Sequence, residues 1–300
     1  MKVGPIATAA LVLSLILSIP VPAHGRFIDD LFNAGHAPLF GVAALVLLRL
    51  APRKRKYTVW EYLIVLFFTA LIGILTELVQ GAEGGDAEVR DAVADFLGAA
   101  SFLVFHYTII HKFPVAFRWL LRFSALAVLL AVFKPPILSG METIHRNRSF
   151  PILFDFDSVW DLRRCRPDDA KFEIAAAPDG AAEPRGKRMG KVTFEPARYS
   201  VFVIDELYPD WTGWGQLGFT VYSDLSSAVR LALTIQDMHY SSEHSYDTEL
   251  TIRPGINAIH ISLGALAAHR MDMTAIRRIM LIAEQPANPF SLYLDGFHLE

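Results

Sequence analysis

The first half of the chain is a series of long apolar segments, and this feature limits the fold more than any other. A helix needs about 20 mostly apolar residues to cross the hydrocarbon core of a bilayer. Segments that meet this requirement lie at about 5–21, 34–50, 59–79, 93–110 and 117–133. The apolar runs stop near residue 140, and short alternating patterns with turn residues follow. We therefore predict an α-helical transmembrane bundle of about five helices over 1–135, a polar linker over 136–151 and a separate domain over 152–300.

Basic residues between the apolar segments predict the orientation of the bundle. They concentrate in the loop 49–56, RLAPRKRK, and in the stretch 112–122, whereas the loops at 26–30 and 83–91 are mixed or acidic. Basic loops stay in the cytoplasm. We therefore expect a multi-pass protein of the cytoplasmic (inner) membrane with its N-terminus inside and its C-terminal domain outside.

The first apolar segment also has features of a secretory signal peptide. Lys2 precedes the apolar run, and small residues surround Ala23. Such a segment is removed from the mature protein. Cleavage and retention both stay open, and neither changes the orientation of the later segments.

Charge and cysteine content exclude two classes of protein. The net charge of -3 does not fit the basic face that nucleic-acid binding requires. A single cysteine, Cys165, excludes an intrachain disulfide framework. We expect the lipid bilayer as a partner and no nucleic acid.

Ionisable and amide side chains gather at one end of each of three apolar segments. The predicted orientation places these three ends on the external side. Such groups are costly near a membrane and often functional. A purely structural polar network is one interpretation, and a divalent metal site or an acid–base pair is another. Because these groups lie at one end only, they indicate no path for transport. The candidate residues are Asp30, His36, Glu77, Gln80, Asp91 and Asp95.

The order and spacing of these residues resemble the VanZ-like family of membrane proteins. The matching positions are Asp30 and His36 at the start of one helix, Glu77 and Gln80 at the end of the next, and Asp91, Asp95 and Gly98 at the start of a third. The resemblance covers roughly residues 10–130, and this chain has an aspartate at 95 where the family usually has asparagine. The family is named for a role in resistance to the glycopeptide antibiotic teicoplanin. The resemblance therefore implies a role in the cell envelope, without a defined reaction.

Beyond residue 151 the sequence alternates with a period of two. Segments such as VRLALTIQD and GINAIHISLG, bounded by turn residues, predict about eight to ten strands in an antiparallel, all-β jelly-roll sandwich. A helical turn is expected in 271–279, MDMTAIRRI. The order of these landmarks resembles the galactose-binding-like domains that are common among carbohydrate-binding modules, which implies glycan binding.

Candidate ligand residues of this domain lie in one turn and one loop. Trp211 and Trp214 are candidates for stacking on sugar rings, but their place in a DWTGW turn that leads into a core strand favours packing. The loop 236–247 combines polar and aromatic side chains and is either a saccharide contact or an ordinary solvated hairpin. Its candidate residues are Asp237, His239, Tyr240, His244, Tyr246 and Asp247.

The resemblance to carbohydrate-binding modules also implies a structural calcium ion. Carboxylate oxygens are the ligands that calcium prefers. Asp155, Asp157 and Asp295 lie on the predicted first and last strands, which are neighbours in such a sandwich.

Two functions are consistent with these observations. The first is a VanZ-like membrane protein of the bacterial cell envelope that presents a carbohydrate-binding-like domain to envelope or extracellular glycan, or to a glycolipid. The alternative is a membrane enzyme that acts on a lipid-linked or envelope glycan through the polar residues at the outer helix ends.

Overall fold

The chain forms two compact units that divide between residues 140 and 141. The first unit, Met1–Gly140, is helical, and the second, Met141–Glu300, is rich in β-strands. The computed structural model describes residues 25–51, 57–82, 89–178, 180–181, 188–239 and 242–300. The first predicted apolar segment, 5–21, lies outside these residues. The boundaries 1–135, 136–151 and 152–300 stay a prediction.

Four helices in the described part of the chain are long and apolar enough to cross a membrane. Their outward faces expose large apolar side chains such as Trp60, Phe67 and Phe123, a surface that suits contact with lipid. The helices are α1 (Arg26–Leu50), α2 (Val59–Ala82), α3 (Val89–Ile110) and α4 (Val115–Val132).

A fifth helix, α5 (Lys134–Ser149), occupies the segment that the sequence suggested as a polar linker. Pro135 and Pro136, which read as linker residues, stand in its first turn, where proline is tolerated because the N–H groups there have no partner within the helix. The C-terminal part of α5, from Met141 onward, belongs to the second unit and contacts the rest of that unit through charged groups. Arg146 donates to the carbonyl of Glu206 at 3.3 Å, and Arg163 pairs with Glu142.

Helices α1 and α3 approach each other closely because glycine stands at the contact. A Cβ atom on Gly98 would fall on the backbone carbonyl oxygen of Ala37. Next to this point the ring of Phe102 lies where a Cβ of Gly41 would be. Small residues permit such backbone contact between membrane helices.

The second unit is a sandwich of two antiparallel sheets. The described strands are β1 (Ile152–Phe154), β2 (Cys165–Asp168), β3 (Ala170–Ala176), β4 (Arg188–Phe194), β5 (Tyr199–Ile204), β6 (Gln216–Ser223), β7 (Val229–Asp237), β8 (Ser245–Ile252), β9 (Gly255–Ser262), β10 (Ile276–Glu284) and β11 (Phe290–Leu299). One sheet has the order β3-β4-β11-β6-β9, with β1 paired to β11, and the other has the order β2-β5-β10-β7-β8.

The core of the sandwich consists of the inward-facing half of each alternating strand. Leu231, Leu233 and Ile235 of β7 are buried there with Ile279 and Leu281 of β10. The β-sandwich predicted from the period of two is confirmed, whereas its jelly-roll connectivity stays a prediction.

The helical turn predicted in 271–279 is wrong. Asp272 accepts hydrogen bonds from the N–H and the hydroxyl of Thr274, which forms a polar turn before β10. Short helices occur instead at α6 (Val159–Leu162) and α7 (Leu263–Ala268). Leu263 and Leu266 anchor α7 in the core.

We predict that Gly98→Ala destabilises the helical unit by about 1–3 kcal/mol, because the carbonyl of Ala37 belongs to a helix backbone and cannot move aside cheaply. Thermal unfolding in detergent, followed by circular dichroism, measures the change. Gly35→Ala is the matched control, since a Cβ at Gly35 meets nothing within 4 Å. Equal stability of the two variants would contradict the close contact.

Candidate functional site

Three ionisable side chains from three helices converge inside the helical unit. His36 of α1, Glu77 of α2 and Asp95 of α3 each place one nitrogen or oxygen atom within 4.8 Å of the others. Their exposed fractions are 4%, 7% and 1%. The imidazole Nδ1 of His36 lies 3.3 Å from Oδ1 of Asp95. We call these residues the bundle cluster.

Helix packing explains why the bundle cluster forms. Gly98, three residues after Asp95, brings α3 against α1 close to His36. Gly73 of α2 leaves room for the carboxylate, since a Cβ there would lie 2.9 Å from Oδ2 of Asp95. Phe32 and the buried Phe40, each one turn from His36, pack around its ring with centroids 5.6 and 6.4 Å away.

The other candidate residues of the membrane half lie outside this group of three. Asp91 is buried one turn before Asp95 on α3. Asp30 is half-buried on α1. The side chain of Gln80 lies outside the described residues. The roles of all six residues stay predictions.

A second polar cluster lies near the opposite ends of α2 and α3. The hydroxyl of Tyr62 is 2.8 Å from Nδ1 of His106, and Nε2 of His111 is 2.9 Å from the carbonyl of Tyr57. The expectation that polar groups lie at one end only is therefore wrong. The sequence feature that could have indicated this cluster is the pair His106 and His111, five residues apart at the end of an apolar segment.

In the sandwich, Asp237 at the end of β7 organises the loop that follows. Its Oδ1 accepts the N–H of His239 at 2.9 Å, and its Oδ2 accepts the N–H of Asp272 at 2.8 Å. The imidazoles of His239 and His244 lie 3.2 and 3.1 Å from the same two oxygens, and their rings stack at 4.4 Å. We call Asp237, His239 and His244 the loop cluster. Tyr240 lies outside the described residues.

The hydrogen bonds to Asp237 favour its ionised form. Burial alone raises the pKa of this carboxyl, but the N–H groups of Asp272 and His239 and the two imidazoles outweigh burial and lower the pKa below its usual value. Asp237 is therefore ionised, and its two oxygens hold the loop in place through the hydrogen bonds that they accept.

The aromatic candidates are less exposed than a stacking role requires. Trp211 is fully buried and donates from Nε1 to the carbonyl of Tyr208 at 2.7 Å, so its ring offers no surface to a sugar. Trp214 is half-buried and packs against the core. Tyr246 is half-buried, with its ring 5.4 Å from that of His269.

The three carboxylates proposed for calcium lie near the paired strands β1 and β11. Asp295 is buried in β11, and the N–H of Asp157 donates to Oδ1 of Asp155 at 3.2 Å. Among the described residues, the groups of three or more metal-ligand side chains are the bundle cluster and the loop cluster. The calcium site stays a prediction.

An open groove of about 510 Å³ lies on the outer face of β7, β8 and β10. We call it the outer groove, and Asp247 is the one residue of the predicted loop that lines it. Tyr199 pairs with Glu284 across β5 and β10, lies on the same face, and is 48% exposed. The lining residues are Arg230, Leu231, Ala232, Asp247, Thr248, Glu249, Ile282 and Glu284.

The outer face of the other sheet also carries aromatic and charged groups. The rings of Tyr222 and Tyr293 lie 6.0 Å apart, and Lys191 pairs with Glu173 at 2.8 Å. Both tyrosines are half-buried, in contrast to Tyr199.

Comparisons with known proteins find similar structures. An exo-β-agarase is 16% identical with a TM-score of 0.42, over 50% of this chain and 25% of the agarase chain. The family 11 carbohydrate-binding module from Clostridium thermocellum, in complex with a β-1,3-1,4-mixed-linked tetrasaccharide, is 15% identical with a TM-score of 0.38, over 49% of this chain and 93% of the module. TmCBM61 in complex with β-1,4-galactotriose is 17% identical with a TM-score of 0.30, over 46% of this chain and 86% of that chain.

No protein-family model and no curated protein matches the chain. Similarity at these identities and TM-scores concerns the fold alone, and a fold does not carry a ligand or an activity from one protein to another.

We predict that Asp237→Asn destabilises the sandwich by about 1.5–3 kcal/mol at neutral pH, because charge-assisted hydrogen bonds are lost from a buried acceptor. The pKa of Asp237 is lower in the folded protein than in the unfolded chain, where it is about 3.9. The ionised carboxylate therefore stabilises the fold at pH values above the unfolded pKa, and this stabilisation is lost as the pH falls through the folded pKa. Urea unfolding of the full chain at about pH 7 and about pH 3 should therefore show that the difference in free energy of unfolding between the unmodified chain and Asp237→Asn is smaller at the lower pH. The exposed Asp168→Asn is the control. A difference in free energy of unfolding that is the same at both pH values would contradict the role of the Asp237 charge.

Proposed function

We propose that this chain is a multi-pass membrane protein of the bacterial cell envelope whose β-sandwich binds envelope or extracellular glycan outside the membrane. The observation that carries this proposal is the outer groove, an open surface lined by charged hydrogen-bonding groups, with the exposed Tyr199 paired to its lining residue Glu284 on the same face. Four helices long enough to span a bilayer supply the anchor.

The chemistry of the outer groove suits a saccharide. Sugar hydroxyls both donate and accept hydrogen bonds, and Arg230 offers donors while Asp247, Glu249 and Glu284 offer acceptors. Tyr199 adds an apolar ring face with a polar tip. Because the groove is open, it fits a glycan chain that runs along the sheet better than a small enclosed ligand.

The basic loops and the residue pattern of the membrane half support the location. Positive charge at 49–56 and 112–122 favours a cytoplasmic position for these stretches and an external position for the sandwich. The resemblance to the VanZ-like family is consistent with the envelope. A glycan-binding domain outside the membrane would meet its ligands there.

We expect the full chain in nanodiscs to bind members of a glycan array that includes peptidoglycan fragments and exopolysaccharides. Glu284→Gln and Tyr199→Ala should each weaken that binding by about tenfold, because each removes roughly 1.4 kcal/mol of contact with the ligand. Tyr293→Ala, on the outer face of the other sheet, is the matched control. Absence of binding by the unmodified chain would overturn the proposal, and loss with Tyr293→Ala alone would move the site to the other sheet.

A second function, catalysis on a lipid-linked glycan, is favoured by one specific observation. An apolar groove of about 490 Å³ lies between α2 and α3, and Glu77 of the bundle cluster lines it together with Ile74 and Phe96. Hydrocarbon of a lipid substrate would fit this groove with its polar headgroup at the carboxylate. In nanodiscs that contain a lipid-linked oligosaccharide, equal turnover by the unmodified chain and Glu77→Gln would exclude this function.

A further inference from the structure

We propose that His36, Glu77 and Asp95 together bind one divalent transition-metal ion, with Zn²⁺ as the first candidate. The inference is independent of glycan binding by the sandwich. It rests on the convergence of three ligand side chains from three helices within 4.8 Å, all of them buried.

The charges of the bundle cluster suit a cation. Glu77 and Asp95 are two buried carboxylates beside His36, whose ring packs against Phe32 and Phe40. Buried charges in proteins are paired or coordinate metals, and a divalent ion balances both carboxylates at once.

Both ring nitrogens of His36 lack a hydrogen-bond partner in the described part of the chain, although the residue is 4% exposed. Its Nδ1 is the nitrogen that lies 3.3 Å from Oδ1 of Asp95. Buried polar atoms are nearly always bonded, so these nitrogens need a physical explanation. A metal ion bound by His36 through one of them supplies a partner.

The geometry and the donor set fit a transition metal. Bonds of about 2.0–2.2 Å in a tetrahedral zinc site place ligand atoms roughly 3.4 Å apart, so atoms within 4.8 Å need small side-chain rotations to close around the ion. One imidazole nitrogen and two carboxylates suit Zn²⁺, whereas Ca²⁺ prefers oxygen ligands throughout. Three protein ligands would leave a position for water or for an oxygen of a substrate.

The loop cluster differs from the bundle cluster in a way that makes it a useful control. Both carboxylate oxygens of Asp237 already accept backbone N–H groups, at 2.9 and 2.8 Å. His244 contacts that same carboxylate from an exposed loop. His244→Ala therefore removes a histidine from the other candidate group and leaves the bundle cluster intact.

Zinc binding by the full chain in nanodiscs tests the proposal. The protein is stripped with a chelator, equilibrated with Zn²⁺ and analysed for bound metal by mass spectrometry. We expect Glu77→Gln and Asp95→Asn each to bind one equivalent fewer than the unmodified chain, and His244→Ala to retain that equivalent. Equal metal content in all four proteins, or loss with His244→Ala alone, would overturn the proposal.

Cobalt spectroscopy distinguishes loss of a ligand from loss of the fold. We expect His36→Cys to keep the bound Co²⁺ and to gain a near-ultraviolet absorption band from charge transfer between the introduced thiolate and the metal. The unmodified chain, which retains the half-buried Cys165, supplies the baseline spectrum. A spectrum for His36→Cys that equals this baseline would exclude residue 36 as a ligand.

Discussion

The contact between α1 and α3 leaves room for a hydrogen atom, and for no side chain, between Gly98 and the carbonyl of Ala37. Much of the helical unit depends on it, because in a bilayer the apolar surfaces of such helices would gain nothing by leaving lipid for one another. Close backbone packing is what holds such helices together. At this separation, His36 and Asp95 reach each other across the interface.

Two buried aspartates of this chain are held in opposite ways. Asp237 has N–H groups on both oxygens, so its negative charge is stabilised locally and the residue orders a loop. Asp95 faces an imidazole and lies beside a second carboxylate, Glu77. The charge of Asp237 is satisfied by donors of the protein itself, so its role is structural, whereas we propose that the carboxylates around His36 bind a cation.

Aromatic residues of the sandwich show a similar division. Trp211 is in the core with its N–H group bonded, and Tyr199 stands on the outer face beside Glu284. The sequence offered Trp211 as a ligand candidate but favoured packing for it, and the structure buries it. Pairing across the sheet leaves Tyr199 on the exposed face for which we propose glycan binding.

Local periodicity in the sequence determined the classes of structure in this protein. Apolar runs of about 20 residues specify helices long enough to span a bilayer, because a backbone in lipid must satisfy its own hydrogen bonds. Alternation such as that of Leu231, Leu233 and Ile235 specifies strands with one buried face, because side chains of a strand point to opposite sides. Both patterns depend on neighbouring residues, which is why they are readable from the chain.

The tertiary structure decided which of the candidate residues meet. His36, Glu77 and Asp95 converge although they lie on three helices, while Asp30 remains apart from that group. The tertiary structure also decided the state of α5. Its two prolines predicted a linker, but they lie in the first turn of a helix. Convergence of this kind depends on helix packing and sheet pairing between distant segments, and no local pattern in the sequence encodes those distances.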